Sequence, residues 1–255
     1  MKKIVFKKKP IVCLTAYNKF YAELIDEYCD LILVGDSLSM AYYGYPSTRS
    51  ITIQDMIKHG KSVRQGIKKS IMVVDMPYGS YITKKQALKN AKKIIKETKC
   101  DAVKLEGGTE IQDIIKNLVD NKINVMGHIG LLPQSVKRKK DYKVKGKNNK
   151  EIKIIIDDLK SIEMVGAFSI VLEAVNLNVA NKVIKESKIP IIGIGASKNC
   201  DGQILVLEDM LGLFDKVPKF VKKYMNLRSQ IKNAVQKYSN EVRIKKFPSS
   251  KNIYI

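Results

Sequence analysis

A chain of 255 residues is long enough to bury one full core, and its 45% hydrophobic content is ordinary for a globular protein. No apolar run approaches the roughly 20 residues needed to cross a bilayer, which excludes a helical membrane protein. The net charge of +22 suggests nucleic acid, but the excess is nearly all Lys: Arg49, Arg64, Arg138, Arg228 and Arg243 are the only arginines, no zinc-finger spacing or aromatic RNP-like strand accompanies them, and no nucleic-acid partner is expected.

The amino terminus, MKKIVFKKKP, starts like a secretion signal, but Lys7 to Lys9 interrupt any hydrophobic region. No export signal is read, and a cytoplasmic protein is expected. Cys13, Cys29, Cys100 and Cys200 are scattered without metal-ligand spacing and read as reduced, buried small hydrophobes.

From there, apolar β-branched runs alternate with amphipathic, Lys-rich segments. The runs are Ile11–Tyr17, Leu31–Gly35, Ile71–Met76, Ala102–Gly107, Asn124–Gly130, Phe168–Ala174 and Ile189–Gly195, with helical spacing over Thr83–Thr98 and Glu110–Asn121 between them. This alternation predicts a parallel sheet, and seven strands over this length favour a closed (β/α)8 TIM barrel forming one domain over residues 1–255. The eighth strand is the weak point. Ile204–Leu207 is a candidate, yet it follows Gly195 more closely than the dozen residues usual for a parallel crossover, and Asp201 is placed to cap a helix running to Leu211 instead. Pro218–Tyr238 reads as an additional C-terminal helical segment, and the chain around Phe247-Pro248 as an extended tail. The polar insertion Val136–Lys150, directly after the fifth strand, reads as a surface loop or as a lid over the active face.

Polar residues close one strand after another: Asp36 and Ser37, Asp75, Lys104 and Glu106, His128, Glu173. Strand side chains alternate faces, so Lys104 and Glu106 point the same way. A barrel gathers the carboxyl ends of its strands into one mouth, and four carboxylates held together there would shift one another's pKa strongly. A divalent cation relieves that repulsion, and oxygen-only ligands favour Mg²⁺. No phosphate-binding glycine loop and no Gly-x-Ser-x-Gly elbow is present. A Mg²⁺ with open positions, a Lys beside it and a separate carboxylate suit a small 2-oxo acid, chelated through its keto and carboxylate oxygens and carried through a Mg²⁺-stabilised enolate.

The segments LTAYN (14–18), VGDSLSM (34–40), HGKSVRQG (59–66), VDMPYGSY (74–81), VKLEGG (103–108), GHIGLLPQS (127–135), YKVKGK (142–147), VLE (171–173) and IGIGASKNCDGQILVLEDMLG (192–212) occur in this order. Together they resemble the 3-methyl-2-oxobutanoate hydroxymethyltransferase family of pantothenate and coenzyme A biosynthesis, over Ile11 to Phe247. The resemblance implies a Mg²⁺-dependent (β/α)8 barrel, decameric in bacterial members, that moves a hydroxymethyl group from 5,10-methylenetetrahydrofolate to 3-methyl-2-oxobutanoate. It implies Asp36, Asp75 and Glu106 as the metal shell, Asp36, Ser37, Asp75 and Lys104 as the binders of the oxo acid, and Glu173 as the proton acceptor. His128 also falls in a family motif, with a structural or a catalytic role. Ser39 and Ser197 stand where the family has Gly, Leu132 where it has Thr and Asn18 where it has Asp, departures expected to strain loops or alter the substrate pockets. The enzymatic rival is a Mg²⁺ barrel of the isocitrate lyase or phosphoenolpyruvate mutase type. That reading is disfavoured because Met126 stands before Gly127-His128, where those lyases carry a Cys.

Overall fold

The computed structural model describes residues 4–6, 10–136 and 141–254. The chain divides into two compact units, Met1–Val206 and Leu207–Ile255. In the first, eight parallel strands close into a barrel in sequence order. They are β1 (Ile11–Thr15), β2 (Leu31–Val34), β3 (Ile71–Asp75), β4 (Ala102–Lys104), β5 (Val125–Gly130), β6 (Ser169–Glu173), β7 (Ile191–Ile194) and β8 (Gly202–Leu205). The helices between them are α1 (Lys19–Ile25), α2 (Leu38–Ala41), α3 (Ile53–Arg64), α4 (Lys84–Thr98), α5 (Gln112–Asp120), α6 (Asn149–Met164) and α7 (Leu177–Glu186). Several start on the polar side chains that sequence logic assigns to caps. Thr83 accepts from Gln86 N at 3.2 Å, and Thr52 and Asp55 form a reciprocal capping box on α3.

All seven predicted strands are present, trimmed by a few residues at their ends, and the eighth exists as well. Gly202 pairs with Ile11 on one side and with Ile192 on the other, closing the barrel. The link from β7 to β8 contains no helix, unlike the usual parallel crossover. Strands this short, about 13 Å at 3.3 Å per residue, need only a modest return, and residues 195–201 reach about 23 Å when extended. Asp201 does not cap a helix. Its carboxylate accepts from Ile191 N at 2.9 Å and its carbonyl from Ile11 N at 2.8 Å, tying the starts of β7 and β1 together. Glycine is required at 202, because a Cβ there would lie 2.5 Å from the Ile11 carbonyl oxygen.

Strand parity sorts the core into two layers. Ile11, Cys13, Leu31, Leu33, Val73, Ala102, Met126, Val171, Ile192 and Ile204 pack together inside the barrel, with Ile4, Phe6 and Phe168 against them. Residues of opposite parity, such as Ile32, Val34, Met72, Val74, Val103, Val125, Ile170 and Leu172, pack with the helices in a larger cluster. The four cysteines are free and buried. Burial and the neighbouring Asp30 and Asp26 push the Cys29 thiol up to about 12.

The second unit holds α8 (Leu207–Met210) and α9 (Leu227–Arg243). The helix expected over Pro218–Tyr238 therefore starts later and runs further. Asn226 caps it by accepting from Ser229 N at 3.0 Å, while Tyr224 N donates to the Met210 carbonyl at 2.8 Å and Lys223 Nζ to the Phe214 carbonyl at 2.6 Å, which hold the preceding stretch in irregular turns. The tail is not extended throughout: Ser250–Asn252 forms a 3-10 turn closed by Ser249 and Asn252. Among the described residues no helix is long and apolar enough to cross a membrane. Of the insertion read as a lid, residues 137–140, including Arg138, lie outside the described residues, as do Lys7 to Lys9.

Candidate active site

The interior layer of apolar side chains is continued at the carboxyl ends of the strands by charged ones. Two residues beyond Val73, Ala102, Met126 and Val171 stand Asp75, Lys104, His128 and Glu173, all facing the barrel interior. Asp75 and Lys104 are register partners on β3 and β4, and Lys104 Nζ lies 2.8 Å from Asp75 Oδ1. On the other side of the ammonium, His128 Nδ1 is 3.4 Å away, and His128 Nε2 lies 3.3 Å from Glu173 Oε2. Asp36 joins from the loop after β2, its backbone N donating to Asp75 Oδ2 at 2.9 Å. A Cβ at Gly35 would fall 2.8 Å from Ser37 Oγ, so a larger residue there would displace the serine hydroxyl. Ser37 Oγ shares a 2.9 Å hydrogen bond with the Tyr17 hydroxyl.

Glu106 lies just past the end of β4, where the backbone stays extended: Leu105 N donates to the Met126 carbonyl and Gly107 N to the His128 carbonyl, each at 3.1 Å. Its carboxylate faces the same mouth, 3.8 Å from His128 Nδ1. The structure thus brings together every residue singled out from the sequence. It adds two that were not: Gln134 and Tyr81. The Gln134 side chain donates to Asp36 Oδ2 at 2.8 Å and its backbone N to Glu106 Oε2 at 2.9 Å. The Tyr81 hydroxyl donates to Gln134 Oε1 at 2.6 Å. Both lie within quoted segments, VDMPYGSY and GHIGLLPQS, but a neutral side chain at a loop position carries no charge signal by which sequence reasoning finds it.

The electrostatics follow from the crowding. Burial, with Asp75 adding repulsion, pushes Asp36 up to about 7 against the pull of Lys104 and Gln134. Burial and Asp36 likewise raise Glu106 well above the usual carboxylate range. Burial alone would lower Lys104, but Asp75, Glu106 and Asp36 together outweigh it and hold the ammonium above its ordinary value. Burial and the Lys104 charge lower His128, which is therefore neutral near pH 7. An ammonium can only donate, so Nδ1 accepts from Lys104 and the ring proton sits on Nε2, facing Glu173. Glu173 is the open end of the row, its side chain 14% exposed against 3% for His128.

Comparisons with known proteins bear on what such a mouth belongs to. A family model described as ketopantoate hydroxymethyltransferase matches residues 1–250. The chain belongs to the ketopantoate hydroxymethyltransferase family. Within it, a 3-methyl-2-oxobutanoate hydroxymethyltransferase of Pelagibacter ubique is 52% identical over 97% of this chain and 95% of its own length. The enzyme of the same name from Aliarcobacter butzleri is 46% identical over 96% and 92%. Membership makes the chain a transferase. Among solved structures, a phosphonopyruvate hydrolase complexed with oxalate and Mg²⁺ superposes with a TM-score of 0.61 at 11% identity, covering 95% of this chain and 88% of that one. A 2,3-dimethylmalate lyase of the phosphoenolpyruvate mutase/isocitrate lyase superfamily gives 0.60 at 12%, covering 96% and 94%. At such identities the likeness concerns the barrel fold alone.

Three departures from the family pattern are accommodated locally. Ser39 Oγ donates to the Ser47 carbonyl at 2.6 Å, Ser197 Oγ to Asn181 Oδ1 at 2.7 Å, and neither serine has a positive φ. The expected loop strain is therefore absent at both. Asn18 keeps a cap on α1, accepting from Tyr21 N at 3.0 Å. Leu132 lines a cavity of about 690 Å³ with Leu131, Ser135, Val136, Asp141 and Lys145.

Proposed function

We propose that this family member transfers a hydroxymethyl group from 5,10-methylenetetrahydrofolate to 3-methyl-2-oxobutanoate, giving 2-dehydropantoate, with Mg²⁺ held by Asp36, Asp75 and Glu106. The observation that carries the reading is the interior row Asp75–Lys104–His128–Glu173. It sets an ammonium and a separate, partly open carboxylate on either side of a neutral imidazole.

The residues fit the cation. Among the described residues no three His, Cys, Asp or Glu side chains form a ready-made cage. Mg²⁺, however, is typically held by one or two carboxylates, with water and substrate completing its shell. Asp36 and Glu106 each commit one oxygen to Gln134 and keep the other, and buried Asp75 Oδ1 receives no aligned hydrogen bond even though Lys104 is near. Burial and mutual repulsion raise Asp36 and Glu106 above the usual carboxylate range, a shift that a divalent charge would reverse. When bound, Mg²⁺ would supply Lewis-acid polarisation of the keto group, which acidifies the adjacent C–H.

The chain's own residues account for the remainder. Lys104 and Ser37 bind and orient the anionic oxo acid at the mouth. Glu173 removes the C3 proton, with His128 Nε2 beside its carboxylate at 3.3 Å. Water opens one of the two C–N bonds of the methylene carbon, supplying the hydroxyl oxygen and leaving its proton on the freed nitrogen. The C3 electron pair then bonds to that carbon as the second C–N bond breaks, and the proton taken up by Glu173 passes to the departing folate nitrogen. Homo-oligomerisation belongs to the same proposal. Ile231, Val235, Tyr238 and Val242 lie at helical spacing on α9, where no residue is buried, an apolar stripe suited to a second copy. A cytoplasmic location suits the four free, buried thiols. Incubation with the oxo acid, methylenetetrahydrofolate and Mg²⁺ tests the reaction: product with the mass of 2-dehydropantoate, lost on chelation, is expected, and its absence with Mg²⁺ present would reject the reading.

A further inference from the structure

Gln134 is 4% exposed, and its side-chain amide and backbone N–H are all engaged inside the protein. Its two amide protons go to Asp36 Oδ2 at 2.8 Å and the Met76 carbonyl at 3.0 Å, its carbonyl oxygen takes the Tyr81 hydroxyl at 2.6 Å, and its backbone N serves Glu106 Oε2 at 2.9 Å. The Tyr81 hydroxyl also reaches the Glu106 carbonyl at 3.2 Å. The Met76 carbonyl can only accept, which puts the NH₂ group on its side and leaves the amide oxygen to take the Tyr81 hydroxyl. The residue itself is fixed by the 3-10 turn Pro133–Ser135, anchored where Leu131 N donates to the Glu173 carbonyl at 2.9 Å. One side chain and its backbone N therefore join the loops after β2, β3, β4 and β5. With both amide protons and the backbone N–H engaged, Gln134 has no donor left for a substrate.

We propose that Gln134 is a positioning residue: its amide, braced by Tyr81, dictates which oxygen of Asp36 faces the barrel mouth, and thereby sets the affinity of the site for a divalent cation. The inference rests on the cation-assisted reading above. A carboxylate free to rotate presents either oxygen, or both, and must be ordered when a cation binds. Here one oxygen is already engaged, so that cost is met on folding rather than on binding. Glu106 is held in the same way by a backbone N–H, which Gln134→Met keeps, so among the site carboxylates that variant removes a hydrogen bond from Asp36 alone.

The test uses Mn²⁺ alone as the probe, its free fraction read by electron paramagnetic resonance without substrate, on wild type, Gln134→Met and Tyr81→Phe, with folding checked by circular dichroism. Loss of a hydrogen bond to a charged group predicts a Kd for Mn²⁺ about 10- to 100-fold weaker in Gln134→Met, and loss of the brace about 2- to 10-fold weaker in Tyr81→Phe. Exchange of the oxo acid C3 proton into D₂O should fall in Gln134→Met at low Mg²⁺ and recover at saturating Mg²⁺, which general damage to the fold would not do. Folded Gln134→Met with the wild-type Kd would overturn the proposal. Should that variant not fold, Tyr81→Phe decides it by the same measurement, an unchanged Kd overturning it. Wild-type protein that binds no Mn²⁺ would sink the cation reading and this inference together.

Discussion

Replacing Lys104 by Met removes the only ammonium that, among the described residues, contacts the interior carboxylates, while nearly conserving volume. The side chains of Lys104 and Asp75 are 5% and 3% exposed at a separation of 2.8 Å, so water cannot take over when the lysine is gone. Breaking a buried pair from one side costs about 3–5 kcal/mol, because the surviving charge is left uncompensated. At about 2–4 °C per kcal/mol for a chain of this size, the melting temperature in cation-free buffer should fall by about 6–20 °C. Adding Mg²⁺ should restore part of the loss by supplying positive charge to the same oxygens. The control is Lys116→Met: the Lys116–Asp120 pair is just as close at 2.7 Å, but its side chains are 58% and 59% exposed, and no measurable shift is expected. Differential scanning calorimetry with and without Mg²⁺ reads all of these. A drop of less than about 2 °C for Lys104→Met, where about 6 °C is the least predicted, would refute the premise that burial makes this pair count.

Glu173→Gln should abolish exchange of the C3 proton of 3-methyl-2-oxobutanoate, a loss of at least about 10²-fold, while Mn²⁺ binding stays intact; unchanged exchange by NMR would reject Glu173 as the base. Glu208 in α8 is buried, neither carboxylate oxygen has a hydrogen-bond partner among the described residues, and burial pushes it from 4.5 to about 7. A carboxyl group with a raised folded pKa stabilises below its unfolded value and loses that contribution as pH climbs through the folded one. Glu208→Met should therefore gain on wild type between about pH 4.5 and 7, by on the order of 3 kcal/mol at about 1.36 kcal/mol per pH unit, and then level off; denaturant melts at several pH values that ran parallel would contradict this. A Cβ on Gly108 would lie 1.9 Å from Asp158 Cγ, and Asp158 holds Thr109 N at 2.9 Å. Gly108→Ala should destabilise by about 1–3 kcal/mol, read by urea denaturation, and wild-type stability would show that Asp158 has room to withdraw.

Much of the barrel was legible because its strands are β-branched runs buried on both faces, with amphipathic helices between them. β8 was obscured because Gly202 lowers strand propensity for the sake of a close approach to Ile11, a tertiary requirement invisible in local pattern. The start of α9 was missed because Pro218 and the apolar residues after it suggested a helix, whereas hydrogen bonds from Lys223 and Tyr224 to distant carbonyls hold that stretch in turns. In the site, Asp75, Lys104, His128 and Glu173 were detectable as charges at buried strand ends. The link through His128 was not, because it depends on the side-by-side register of β4, β5 and β6. Gln134 was hidden for a different reason: its bonds reach as far as Asp36, 98 positions away.

The shared parity of the reactive row and the apolar layer beneath it has a consequence for folding. A slip of one residue in β3, β4, β5 or β6 would turn Asp75, Lys104, His128 or Glu173 outward, into the apolar layer beneath the helices. Such a misaligned strand would bury a lone charge without its counterpart, at a cost comparable to the whole stability of a domain. The groups proposed to meet the substrate therefore also act as keys to the alignment of the sheet. A chain that has closed its barrel with the strands out of step is rejected by its own active site before any substrate arrives.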